Sequence, residues 1–274
     1  MTVINWLTGL PVVVLFLVMI GFWLVLALVM WWLVERFADH ERLSQGRDSL
    51  GRVLTIVASF YVFLLGFIIY EEWNNFTAAR TDVSVASASL STAGLNTTSL
   101  PKESGDEVAT GIRNFGRSIV CQDFPTLKAT AQPDTATGDT LEKLFTIASS
   151  QPSAVRESAI YGDLTNELEN ASNARREWIT TAEAGIPKVI VIIIFLVSAF
   201  VLGLFVLQRA GRTRPHLLAL VALAVFMGLG TGLVMSLYRP FASAAKISPD
   251  SFAQGLDPSI QDCSLIKDQD KDQK

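Results

Sequence analysis

The chain has 274 residues, half of them apolar, with a formal net charge of −4 and a mean hydropathy of +0.38. That acidic balance argues against nucleic-acid binding, which needs a basic face, and 2 Cys with 2 His are too few for a zinc ribbon or an iron–sulfur centre. The apolar excess falls into four blocks, a membrane pattern rather than an unusually large soluble core.

The first block runs from about Leu10 to Val34 without a charge. A helix crossing a bilayer core of roughly 30 Å needs about 20 such residues. Pro11 suits a first helical turn, where its missing N–H is no loss, and Trp31 and Trp32 mark an interface. The block lacks a basic leader and a small-residue cleavage site and is too long for a signal peptide, so it is expected to stay in the membrane. The second span covers about 53–70 and ends at Glu71, Glu72 and Trp73. Within it Phe60, Phe63 and Phe67 share one face at 3,4 spacing. That stripe suits helix packing or lipid contact, or an apolar neck in a symmetric oligomer.

Residues 71–185 read as a helical domain. Trp73, Phe76, Arg80, Val83, Ser87 and Leu90 continue a helical period out of the second span. A stop is expected near Gly94 and Pro101, followed by a capping box with Ser104 at N-cap and Glu107 at N3. Val108, Ile112, Phe115 and Ile119 then form one apolar face. Pro125 is expected to break this helix, 130–139 to be a surface loop, 141–148 a short helix, and a long helix to start near Pro152 and lead into the third span. The third span is 186–207, behind Pro187. The fourth is about 217–237, behind Pro215, and its Gly228, Gly232 and Ser236 form a small-residue stripe for close helix approach. The tail after Lys267 is polar and is expected to be disordered.

Orientation follows from the short loops. Arg36, Arg42, Arg47 and Arg52 lie in the first, and Arg209, Arg212 and Arg214 in the second. Both loops read as cytoplasmic, which places both termini and residues 71–185 outside. That domain carries 9 Lys and Arg against 16 Asp and Glu. The expected fold is therefore an all-α membrane protein with four transmembrane helices and a helical extracytoplasmic domain inserted between the second and third. Its parts are a first hairpin (1–70), the outer domain (71–185), a second hairpin (186–238) and an outer tail (239–274). Cys121 and Cys263 both fall on the outer side, where a disulfide is permitted; the alternative is one buried and one free thiol.

No Walker A loop, HExxH or GxSxG motif occurs, and Gly228-Leu-Gly-Thr-Gly232 lacks dinucleotide-fingerprint spacing. No enzyme activity, cofactor or metal is expected; His40 and His216 have no ligand cluster around them. The spans carry essentially no charge away from their ends, which argues against an ion-coupled pump. Arg239 suits an anion vestibule, lipid headgroups, or a pair with Glu71 or Glu72. For Arg80, Arg175 and Arg176, a salt bridge between the two long helices is the expected outcome.

Several local patterns carry a resemblance: Leu65-Gly66-Phe67, Trp73, Ala79-Arg80-x-x-Val83, Asp123-Phe124-Pro125, Arg175-Arg176 ahead of Ile186-Pro187, and Arg239-Pro240-Phe241 with Ser248-Pro249 beyond. Together they resemble the bacterial bestrophin-like domain family, four-span membrane proteins of unassigned function. Ala86-Ser87 departs from the Glu-Ala that this resemblance leads one to expect. The resemblance implies a bacterial plasma membrane and kinship with bestrophins, which are oligomeric anion channels. Two functions follow. The first is a non-catalytic accessory or scaffold subunit that docks other membrane-protein subunits through its outer domain and Gly-rich fourth span. The alternative is a homo-oligomeric anion channel. The lack of polar pore-lining residues favours the first.

Overall fold

The structure is a computed structural model and describes residues 10–37, 47–208, 214–238, 240–242 and 246–264. Among the described residues every regular element is helical. In chain order these are α1 (Val12–Phe37), α2 (Arg47–Thr97), α3 (Lys102–Ser118), a π-helical turn (Ile119–Asp123), α4 (Phe124–Thr130), α5 (Thr135–Ser149), α6 (Ser153–Arg156), α7 (Ala159–Ala184), α8 (Lys188–Leu207), α9 (Arg214–Leu237), α10 (Pro249–Ala253) and a 3-10 turn (Pro258–Gln261). Four stretches are long and apolar enough to cross a membrane: Val12–Phe37, Asp48–Thr97, Val189–Leu207 and Pro215–Leu237. Helices are the form such runs must take in lipid, because every backbone polar group is then satisfied within the segment. Arg42, His40, Arg209, Arg212 and the tail after Lys267 lie outside the described residues.

The chain divides into two compact units. The membrane-type unit holds 1–74 and 185–239. Its interior is built by Leu15, Met19 and Trp23 of α1, Tyr61 and Leu65 of α2, Ile194, Val201 and Leu202 of α8, and Leu220, Ala224 and Met227 of α9. The fourth-span glycines are where α1 and α9 meet. A Cβ on Gly228 would lie 2.6 Å from the Ile20 Cα, and one on Gly232 would lie 3.0 Å from the Phe16 ring. Two polar links join helices in this unit. The Trp23 indole donates to Thr231 Oγ1 at 3.0 Å, and Thr231 in turn donates to the Met227 carbonyl at 2.7 Å. Ser198 Oγ lies 3.0 Å from the Tyr61 hydroxyl and donates to the Ile194 carbonyl. Gly228→Ala places a methyl against backbone that cannot rotate aside, so it should destabilise the α1–α9 contact by about 1–3 kcal/mol. The thermal midpoint in lipid nanodiscs reads this, with Gly21→Ala as control, since a Cβ there meets nothing within 4 Å.

The second unit holds 75–184, 240–242 and 246–274. Ala79, Val83, Ala86, Leu90 and Ala93 of α2 pack with Leu164, Leu168, Ala171 and Trp178 of α7. Val108, Ile112 and Phe115 of α3 and Leu144 of α5 join the same core.

Three local expectations change here. Helix α3 starts at Lys102 with Pro101 as its N-cap residue, so Ser104 lies inside the first turn and is buried instead of capping it. The start of α3 lies close against the end of α2, where a Cβ at Gly105 would run into the Thr97 carbonyl. Pro125 does not break the helix. The chain passes through the π-turn, in which the Phe124 N–H reaches back to the Ile119 carbonyl, and Pro125 sits in the first turn of α4, where its absent N–H costs nothing. The loop shrinks to the few residues around Ala131, which has a φ of 60°, because the Asp134 side chain accepts the Thr137 N–H and starts α5 early.

Candidate functional site

In the membrane-type unit, Phe60, Phe63 and Phe67 are 60, 72 and 58% exposed. Tyr61, Leu65 and Ile68, one or two residues along from them and therefore on another face of the helix, are buried in the helix bundle. The register follows from α2 itself: residues spaced 3 and 4 apart share a face, so burying one stripe turns the phenylalanines outward. Val53, Ile56 and Tyr70 extend the same exposed 3,4 series. Ser236 donates to the Leu233 carbonyl and is buried beyond the glycines of α9.

In the second unit the structure brings together two segments that are far apart in the sequence. Asp123, at the end of the π-turn, is fully buried, and Arg175 of α7 is nearly so. Arg175 Nε donates to Asp123 Oδ2 at 2.6 Å and Nη2 to Oδ1 at 3.0 Å. Asp123 Oδ1 also accepts the Asp134 N–H at 2.9 Å. Burial pushes the Asp123 carboxyl above its ordinary value, opposed by the hydrogen bond and charge of Arg175. The salt bridge expected between the two long helices is thus replaced by one from α7 to the π-turn. Among the described residues Arg80 is exposed on α2 with no ion pair, and Arg176 bonds Asn173 and Ser172 on its own helix. π-turns inside helices often mark functional positions. This one also carries Cys121.

Cys121 and Cys263 form a disulfide across a sequence separation of 142. It ties the C-terminal segment to the π-turn, next to the end of α3, where the Arg117 guanidinium also donates to the Ser259 carbonyl and Ile260 is buried. Phe241 is buried with its ring 5.6 Å from Phe124, and the Pro240 carbonyl accepts the Ile247 N–H. Phe252 fills the space between Phe124 and Trp178. Ser87, at the position where the sequence departs from the expected Glu-Ala, donates to the Phe252 carbonyl and so tethers the same segment. Arg239 lies outside the described residues. Sequence reasoning missed the Asp123–Arg175 pair, although both residues stand in the quoted motifs. Among the described residues no cluster of three or more His, Cys, Asp or Glu is arranged to hold a metal.

The chain's fold is similar to that of a bacterial bestrophin homologue from Klebsiella pneumoniae, known in several single-residue variants. One is 13% identical, with a TM-score of 0.67 over 90% of this chain and 96% of its own. Another is 17% identical, with a TM-score of 0.66 over 88% and 96%. The same homologue solved by Zn-SAD phasing is 15% identical, with a TM-score of 0.66 over 89% and 95%. No curated protein matches the chain. At these identities the likeness is one of fold. The Bestrophin-like domain model, however, matches residues 21–252, so most of the sequence agrees with it, and the chain belongs to the Bestrophin-like domain family.

Proposed function

We propose that this protein is a homo-oligomeric anion channel of the bacterial plasma membrane, with Phe60, Phe63 and Phe67 of α2 forming an apolar neck. The carrying observation is the outward-facing aromatic stripe on a helix whose other side is committed to the bundle. In a symmetric ring, one such stripe per subunit would close a constriction of the kind that gates by dewetting. Family membership favours this reading, because bestrophins are oligomeric anion channels. The accessory or scaffold role favoured by the sequence alone finds no support in the family or the fold. Its main argument, the lack of polar pore-lining residues, fits a hydrophobic neck equally well.

The same reading keeps the orientation set out above: Arg-rich loops in the cytoplasm, termini and residues 71–185 outside, with hairpins at 1–70 and 186–238 and the tail from 239. It is supported by the disulfide, which persists in an oxidising compartment. The neck is tested by Phe63→Ala in planar bilayers. A larger single-channel current with the anion preference retained is expected. The same current in both forms would assign the stripe to lipid contact.

A further inference from the structure

Beyond the phenylalanine stripe, α2 keeps an exposed face of a different composition. Thr77, Thr81, Ser84, Val85, Ala88 and Thr92 are exposed along it, and none is charged. The 3,4 count that gives Phe60, Phe63, Phe67 and Tyr70 runs on through Asn74, Thr77 and Thr81 of the same helix. Other helices of the second unit expose charge: α3 shows Glu103 and Asp106, α5 shows Glu142 and Lys143, and α7 shows Asp163 and Glu169. A face turned to a symmetry axis meets its own copies, so a charge on it would repel itself. An uncharged stripe in the register of the neck is what such an axis requires.

The flanks of this stripe are charged, with opposite signs. Arg80 and Asp82 stand one residue before and one after Thr81, hence about 100° to either side of it. Arg80 is exposed and, among the described residues, has no ion pair. Asp82 is half-buried, and the charge acting on it from within the chain is another acid, Glu177 of α7. Neither carboxylate has an ion pair among the described residues. Arg176, next to Glu177, donates to Asn173 and Ser172 on its own helix. Residues two apart in a helix do not face each other, so Arg80 cannot serve Asp82 of the same chain. One chain thus carries a cation on one flank of α2 and two acids on the other. Flanks that complement each other in this way suit a head-to-tail contact between copies, which can close into a ring.

We propose that Arg80 of each copy pairs with Asp82 and Glu177 of the next copy around the ring. This rests on the channel reading, which supplies the ring. The test is the mass distribution of the full-length protein in mild detergent, read by light scattering over a dilution series. Arg80→Glu sets acid against acid and should weaken self-association about tenfold. Asp82→Arg combined with Glu177→Arg sets cation against cation and should weaken it similarly. An equimolar mixture of the two variants restores opposite charges at every contact between unlike copies, so it should recover most of the native oligomer. A role confined to one chain cannot be rescued by mixing. Self-association of Arg80→Glu equal to the native protein's, or a mixture no more associated than its two components alone, would overturn the pairing and leave the channel reading in place. A native protein that is monomeric at every concentration would remove both.

Discussion

Asp123→Ala is expected to destabilise the second unit by about 3–5 kcal/mol, the range for removing one partner of a buried ion pair. Asp123 has no solvent exposure, and its two oxygens take both the Arg175 fork and the Asp134 N–H. Without it the buried Arg175 guanidinium is left without its carboxylate, and the turn into α5 loses its anchor. The cost comes from the uncompensated charge rather than from the pair's intrinsic strength. Asp123→Leu combined with Arg175→Met should therefore recover most of the loss, since well-packed apolar replacements of a buried pair are often neutral or stabilising. Hydrogen exchange over α3, α4 and α5 in nanodiscs measures both variants. Equal destabilisation by the single and the double change would mean that the pair acts through shape alone.

Removing the disulfide should have an effect of similar size. A cross-link over a sequence separation of 142 limits the unfolded chain strongly, and loop-closure arguments give about 3–5 kcal/mol for so long a loop. The Cys121→Ser and Cys263→Ser double variant should show a lower thermal midpoint and fast exchange over 255–261, the segment held on α3. Phe252 is buried between Phe124 and Trp178, so exchange over 249–253 should rise less. A midpoint matching the native protein, with 255–261 still protected, would show that the apolar contacts of Ile260 and the Arg117–Ser259 bond hold the segment unaided.

What the sequence made legible was what depends on local composition. Uncharged apolar runs of about 20 residues have one stable form in lipid, so the four long helices could be read directly. Local periodicity also assigned Val108, Ile112 and Phe115 to one buried face. What depends on meetings between distant segments was not legible. Asp123 and Arg175 are 52 residues apart and each sits in an ordinary helical sequence, so nothing local couples them. Pro125 reads as a breaker because a π-turn, which spends its extra residue before the proline, has no sequence signature of its own. Ser104-Gly-Asp-Glu107 has the letters of a capping box, but Pro101 takes the N-cap position and the helix starts at Lys102. Gly228 and Gly232 stand out as small residues, yet nothing in the sequence names Ile20 and Phe16 as what they face.

Whether this chain forms an anion-conducting oligomer by itself is read by planar-bilayer recording of the purified protein under a potassium chloride gradient. Single-channel currents that reverse near the chloride equilibrium potential are expected with no other subunit present. Silent bilayers from protein shown to be inserted, or currents that reverse near the potassium potential, would contradict the channel reading.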